Sequence, residues 1–320
     1  MEIGFLLLLL AGGALLVPLF GGDDDDEGTD DQSQIDGTFE NDQLEGTEGN
    51  DLIRGFLGDD TINGNGGDDE IRPGEGADIV DGGAGDDNIL GSPGADTLSG
   101  GDGYDRIFGG ADDDEIDGGA DADFIAGGDG NDLIFGGQGT TGANPERDPE
   151  FIRGDDGDDT IFIWGEGGEV RGNADDDELI LMTGDATMEA GGGLNDDFYV
   201  MANVSDAQLT EATITDFDPE RDTLTLTIDY VADGGTPPDV DVTLTETTVD
   251  GISGVRIDAV FVGPGDIPVS SEASSAFVQG ATIAQLGSAN IEVVLTEEAD
   301  LDDPVGLLND VIAARPVVPA

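Results

Sequence analysis

From Gly28 to Glu189 the chain repeats every nine residues, on a loose pattern of Gly-Gly-x-Gly-x-Asp-x-Ile-x. Gly82 to Leu90 is a clean copy, and Gly127 to Phe135 is another. Turn glycines, one carboxylate and one apolar anchor at constant spacing describe a stack of short repeated units, because each unit buries its anchor only against its neighbours.

Position eight of the nonapeptide runs Ile35, Leu44, Ile53, Ile62, Ile71, Val80, Ile89, Leu98, Ile107, Ile116, Ile125, Ile134, Ala143, Ile152, Ile161, Val170, Leu179, Met188. A β-rich triplet with one inward aliphatic, followed by a Gly-rich turn, predicts one short strand per unit. Position six is Asp without a break from Asp42 through Asp132, followed by Thr141, Glu150, Asp159, Gly168, Asp177 and Ala186. Position four is mostly Gly, with Asp112, Asp121, Asp148 and Asp175 as substitutes. Asp tolerates left-handed backbone better than most residues, so this position is expected at positive φ. Gly136 to Arg153 counts as two degenerate units, which keeps the frame. At Gly191 the phase slips by one and puts Asp196 and Phe198 where Asp and Ile belong.

Charge narrows the partners. The sequence has 75 acidic and 9 basic side chains, every basic one Arg, and a formal charge of −66. Phosphate backbones and anionic membrane surfaces need a cationic stripe that is absent, so cations are the expected partners and nucleic acid is not. A solvated acidic surface gives the same balance, but here the acids are phased rather than scattered. There is no Cys and no His, which removes disulfides, thiolate nucleophiles, Cys/His zinc sites and every imidazole-based triad. With aromatics at 5% and 54 Gly, backbone pairing and a bound group must supply what large side chains do not.

Composition divides the chain into an apolar segment 1–20, an acidic tether 21–27, the array 28–199, a β-rich C-terminal part 200–296 and a tail 297–320. Ile3 to Phe20 is long enough to cross a bilayer and reads as an uncleaved anchor or a secretory signal. Beyond Tyr199 the alternation of Thr223–Ile228, and the patterns of Val240–Thr247, Val255–Val262 and Ile291–Leu295, predict strands. Asp233-Gly234-Gly235 and Asp250-Gly251 are turn signals between them, and Val305–Ala314 reads as a short helix.

Calcium takes six to eight oxygens at about 2.3–2.6 Å and accepts carboxylates mixed with backbone carbonyls. A Gly-rich turn exposes carbonyls and the Asp adds charge; one loop has too few oxygens, two stacked loops have enough. On these residues the array resembles the RTX (repeats-in-toxin) family of calcium-binding repeats. The resemblance implies an all-β, right-handed parallel β-roll with two nonapeptides per turn, and calcium between loops on the same side. Under that geometry the expected metal ligands are Asp42, Asp51, Asp60, Asp69, Asp78, Asp87, Asp96, Asp105, Asp114, Asp123, Asp132, Asp159 and Asp177. Alternate loops would form two edges. One carries Asp51 to Asp123, loses Thr141 and resumes at Asp159 and Asp177; the other carries Asp42 to Asp132 and fails at Glu150, Gly168 and Ala186. Counting gaps between adjacent Asp loops gives about ten calcium ions. Stacked carboxylates about 5 Å apart repel by roughly 3 kcal/mol at an effective dielectric near 20, so the array is expected to fold on binding metal.

A calcium affinity of about 10⁻⁴–10⁻³ M, typical of extracellular modules, suits a secreted or cell-surface protein. The expected role is structural or adhesive, with a surface or polysaccharide as partner of the C-terminal part. The alternative is a hydrolytic or carbohydrate-active enzyme using C-terminal carboxylates such as Asp216, Asp218, Glu220 and Asp222, which also read as a turn or calcium cluster at a strand start. Position seven, from Leu52 and Thr61 to Phe124 and Leu133, has no threonine ladder of the kind that binds ice. Asp23 to Gly28 lacks the closing Glu of an EF-hand, and no phosphate loop with Gly-Lys-Ser/Thr occurs.

Overall fold

The computed structural model describes residues 32–137, 150–202, 210–230, 239–249, 251–263, 267–279, 281, 286 and 291–297. The apolar segment 1–20, the acidic tether, Thr141, Ala143, Asp148, Asp233-Gly234-Gly235, Asp250 and the helix expected at 305–314 lie outside the described residues. Among the described residues no helix is long and apolar enough to cross a membrane. The chain divides into two compact units, one ending at Leu133 and one beginning at Ile134.

The first unit is a parallel β-solenoid. Its strands are β1 (Ser33–Asp36), β2 (Gln43–Glu45), β3 (Asp51–Leu57), β4 (Thr61–Asn63), β5 (Glu70–Glu75), β6 (Ile79–Ala84), β7 (Asn88–Pro93), β8 (Thr97–Asp102), β9 (Arg106–Ala111), β10 (Glu115–Ala120) and β11 (Phe124–Asp129). Odd strands pair with odd and even with even, always parallel. Ile53 lies beside Ile71, Ile71 beside Ile89, Ile89 beside Ile107 and Ile107 beside Ile125. Each step is eighteen residues, so two nonapeptides make one turn, as the resemblance implied. Period-2 alternation turns three positions inward in each unit. In one unit these are Asp87, Ile89 and Gly91, all buried. Every described position-eight aliphatic is buried, from Ile35 at 7% to Ile107 at 0% exposure. A column of such side chains gives roughly 1.5–3 kcal/mol per residue on burial and is the core of this unit.

The second unit continues with β12 (Leu133–Phe135, which straddles the division), β13 (Phe151–Asp156), β14 (Thr160–Ala174), β15 (Glu178–Gly191), β16 (Asp197–Ala202) and β17 (Thr210–Ile214). Beyond them lie β18 (Thr223–Tyr230), β19 (Asp239–Val249), β20 (Ile252–Gly263), β21 (Ile267–Gln279) and β22 (Ile291–Glu297). Strand β13 pairs with β14 and β14 with β15, with Ile152 beside Val170 and Ile161 beside Leu179. The slip at Gly191 is present: Leu179 lies beside Phe198, nineteen residues on.

Parallel stacking does not stop at Tyr199. Strand β16 pairs with β18 and β18 with β22, while β15 pairs with β17 and β17 with β21. Only β19 and β20 form an antiparallel hairpin, turning at Gly251 (φ +86°), and β20 then pairs antiparallel with β21. The four strands expected beyond residue 200 are present as β18, β19, β20 and β22; β17 and β21 were not foreseen. The largest fully buried side chains, Tyr199, Phe162 and Phe198, belong to this unit.

The segment after Gly136 corrects the frame count. Gly136 N–H donates to Phe162 O at 2.9 Å, and the Phe135 ring stacks on Phe162 at 5.2 Å. From Phe135 to Phe162 is 27 residues, nine more than one turn. A Cβ placed on Gly136 would meet Glu150 Oε2 at 2.8 Å, so the loop opened by Gly136 closes at Glu150 rather than at Thr141. The step from β12 to β14 is therefore not the eighteen residues that two units in frame would give. The alternate-edge count that grouped Asp159 and Asp177 with Asp51, and Glu150 with Asp42, does not hold. Pro145 and Pro149 cannot donate to a ladder and Ala143 is a poor anchor, so a nonapeptide here has little to hold it as a strand.

Candidate metal centre

All thirteen Asp residues expected as ligands are buried, with Asp42 the most exposed at 5%. Asp51 opens a strand and each of the others immediately precedes one, one residue ahead of the outward position seven. Their Oδ1 atoms form ladders along the stack. Asp105 Oδ1 accepts the Asp87 amide at 2.8 Å, and Asp123 Oδ1 accepts that of Asp105 at 2.9 Å. The same bond, at 2.7–3.1 Å, links Asp42, Asp60, Asp78, Asp96, Asp114 and Asp132 in one column and Asp159 to Asp177 in the second unit.

The second oxygen is different. Oδ2 of Asp60, Asp69, Asp78, Asp87, Asp96, Asp105, Asp114, Asp123 and Asp177 is buried and accepts no hydrogen bond. Leaving a buried acceptor unmet costs about 1–3 kcal/mol, and more when it is charged. Those of Asp60, Asp69, Asp87, Asp96, Asp105, Asp114 and Asp177 point at the position-one glycine of their own loop, whereas position one of the Asp78 loop is Pro73. A Cβ on Gly82 would lie 2.5 Å from Asp87 Oδ2 and 2.5 Å from Gly100 O, the carbonyl one turn further on. Gly64, Gly91, Gly109 and Gly172 sit in the same cradle of one carboxylate oxygen and one carbonyl. At these glycines a side chain would crowd both oxygens and fill the cradle.

Backbone conformation opens these loops. Position four has positive φ at Gly85 (+133°), Gly103 (+135°), Asp112 (+79°), Asp121 (+75°) and Asp175 (+72°), so the expectation drawn from the Asp substitutes is met wherever they are described. Position two is also left-handed, even at Phe56 (+85°), Asn65 (+71°) and Ser92 (+84°), which sequence reading missed.

Burial and crowding push the carboxyls up. Asp87 is raised to about 7, first by burial, against the lowering effect of the Asp69 amide, and further by Asp105, Asp69 and Asp68. Asp96 and Asp114 also reach about 7, Asp60, Asp69 and Asp105 about 6, and Asp123 and Asp177 about 8, burial leading in each. At neutral pH such a row needs protons or cations. A hard dication suits a site of carboxylate and carbonyl oxygens with no nitrogen or sulfur. Among the described residues no three acidic side chains converge on one point, so backbone carbonyls would supply the rest of the shell.

Two features extend the sequence reading, which puts Asp196 in phase after the slip and Asp222 in a turn or calcium cluster. The inner column of the second unit runs past Asp177. Asp196 Oδ1 accepts the Asp177 amide at 3.0 Å, and Asp222 Oδ1 accepts that of Asp196 at 3.4 Å. Both residues open Asp-x-apolar triplets (Asp196-Asp197-Phe198 and Asp222-Thr223-Leu224), a signal that survives loss of the glycines. The second feature is an outer ladder at position five with the opposite sense. There Asp68 Oδ1 accepts the Asp86 amide, Asp86 Oδ1 that of Tyr104 and Asp113 Oδ1 that of Asn131, at 2.9–3.1 Å.

Where the carboxylate is missing, the loop is missing too. Strands β14 and β15 run continuously through Gly168 and Ala186, with Ile163, Leu181 and Met182 buried around that turn. Of the C-terminal carboxylates, Asp216, Asp218 and Asp222 accept backbone amides. Asp216 accepts the Ala190 and Gly191 amides at 3.1 and 2.7 Å, and Asp218 Oδ1 accepts the Glu220 amide at 2.9 Å.

No curated protein matches the chain. Residues 36–71, 73–107, 90–125 and 108–141 match the RTX calcium-binding nonapeptide repeat in four copies. The cradles, the eighteen-residue turn and this match agree: between residues 36 and 141 the chain is built of RTX calcium-binding nonapeptide repeats.

Proposed function

We propose that the protein is a non-enzymatic, secreted or surface-held calcium-dependent scaffold whose solenoid is ordered by a row of calcium ions. The observation that carries this is the repeated buried Oδ2 without a donor, each facing a carbonyl of the next turn. The carboxyls raised to about 6–8 support it, since the metal-free fold is short of positive charge inside. Gaps between stacked Asp loops set the scale at about ten ions. The Asp177–Asp196 step, where Asp177 Oδ2 and Ala190 O flank Gly172, adds one place that the repeat pattern alone does not offer. Retention at the cell surface would fall to residues 3–20, and an adhesive role to the C-terminal strands; RTX repeat proteins are typically secreted.

Circular dichroism of the full chain in EGTA and during calcium addition, with calorimetry for stoichiometry, tests the reading. The expected result is a cooperative gain of β signal with many ions bound per chain. Full β structure in excess EGTA, or a stoichiometry of one or two, would refute it.

A further inference from the structure

The Asp loops are of two kinds. In an open loop, positions two and four are left-handed and Asp Oδ2 has no donor. The first loop on each edge, Gly37 to Asp42 and Gly46 to Asp51, is built otherwise. Asp42 Oδ2 accepts the Thr38 amide at 2.5 Å and the Thr38 hydroxyl at 2.8 Å. Asp51 Oδ2 accepts the Thr47 amide at 2.6 Å and the Thr47 hydroxyl at 3.0 Å. The same hydroxyls receive the Glu40 and Gly49 amides, each at 3.2 Å. Neither threonine, nor Glu40 or Gly49, has positive φ. A β-branched residue is a severe outlier in the left-handed region, so threonine at position two prescribes the closed form.

We propose that these two loops, each reading Gly-Thr-x-x-Asn-Asp, are metal-free caps closed by their own threonine, and that cation binding starts one turn later, at Asp60 and Asp69. This rests on the calcium reading above and refines where it applies. In an open loop, Asp Oδ2 and the next turn's carbonyl jointly face the position-one glycine. In the first loops that oxygen already holds two donors, and the Gly37 cradle is wider, with Asp42 Oδ2 and Gly55 O both at 2.9 Å. A solenoid needs ends that do not depend on a neighbour, and a carboxylate whose Oδ2 is met within its own loop provides one, although Asp51 Oδ1 stays buried without a partner. A loop of the second unit makes the amide half of this arrangement with Asp in place of Thr: Asp222 Oδ2 accepts the Asp218 amide at 2.6 Å.

The test is an anomalous difference map from crystals of the calcium-loaded full chain. Peaks are expected beside Asp60 and Asp69 and at later open loops, with none between the Asp42 and Asp60 loops or between the Asp51 and Asp69 loops. Calcium in either first gap overturns the cap while leaving the calcium reading intact; a map without calcium at any loop fails both. In solution, the double variant Thr38→Gly with Thr47→Gly is expected to bind two more calcium ions per chain than the wild type by calorimetry. An unchanged or lower count would count against the cap.

Discussion

Gly82→Ala isolates the cradle from every other property of the loop. Gly82 has no positive φ to lose, so the substitution adds one methyl group and no backbone strain. Its Cβ would stand 2.5 Å from Asp87 Oδ2 and 2.5 Å from Gly100 O. Ordinary contact begins at 3.4 Å, so each neighbour must retreat by ~0.9 Å. Gly100 O belongs to the backbone of the next turn, and Asp87 is held there by its Oδ1 bond from the Asp69 amide. Overpacking of this kind typically costs about 1–3 kcal/mol, or about 5–150-fold in the folding equilibrium. Calcium should suffer more than the fold, because the methyl group occupies the space between two expected ligand oxygens. Gly66→Ala is the control: its Cβ would meet nothing closer than Ala84 O at 3.6 Å, and a change within about 0.5 kcal/mol is expected. Calcium titration followed by circular dichroism and calorimetry should show Gly82→Ala with one ion fewer and a higher midpoint, and Gly66→Ala unchanged. If Gly82→Ala binds calcium like the wild type, the cradle is not where the ion sits.

Two further expectations concern pH and the core. The raised carboxyls mean that the metal-free fold binds more protons than the unfolded chain, whose Asp groups titrate near 3.8. That stabilisation is present below about 4 and is lost as pH rises through about 6–8, so EGTA-treated protein should gain β signal on acidification from pH 8 to pH 4. With calcium present the trend reverses, because protons displace the ion; a metal-free β signal that is flat or rises with pH would contradict the burial argument. In calcium, Ile107→Ala should destabilise by about 2–5 kcal/mol in chemical denaturation, since Ile107 is fully buried between Ile89 and Ile125. Ile79→Thr, at a position 55% exposed, should stay within about 0.5 kcal/mol.

Much of the site could be read because each property that matters is carried by one residue type at one position. Aliphatics at position eight gave the core column, Asp at position six the inner ladder, and Asp112, Asp121 and Asp175 the left-handed turn. Reading failed where one letter hides two conformations. Asp51 and Asp69 look alike in the motif, yet Thr47 closes one loop and Asn65 at φ +71° leaves the other open. It failed again after Gly136, where the next turn's partner, Phe162, stands 27 residues from Phe135 rather than eighteen. The outer ladder was missed because position five carries Asp, Asn, Ala and Tyr, and their shared role lies in backbone amides eighteen residues away.

The sequence by itself determined the period, the inward aliphatics, the carboxylate in each turn and hence a cation as partner, because these follow from residue chemistry at fixed spacing. Tertiary structure alone decided which Asp oxygens are already satisfied, how many residues separate β12 from its partner in β14, and that the carboxylate column reaches Asp222. The reason is physical. Donors for each Asp come from its own loop or from a loop a full turn away, and which one supplies them depends on φ at position two and on how many residues the chain uses to return to the stack.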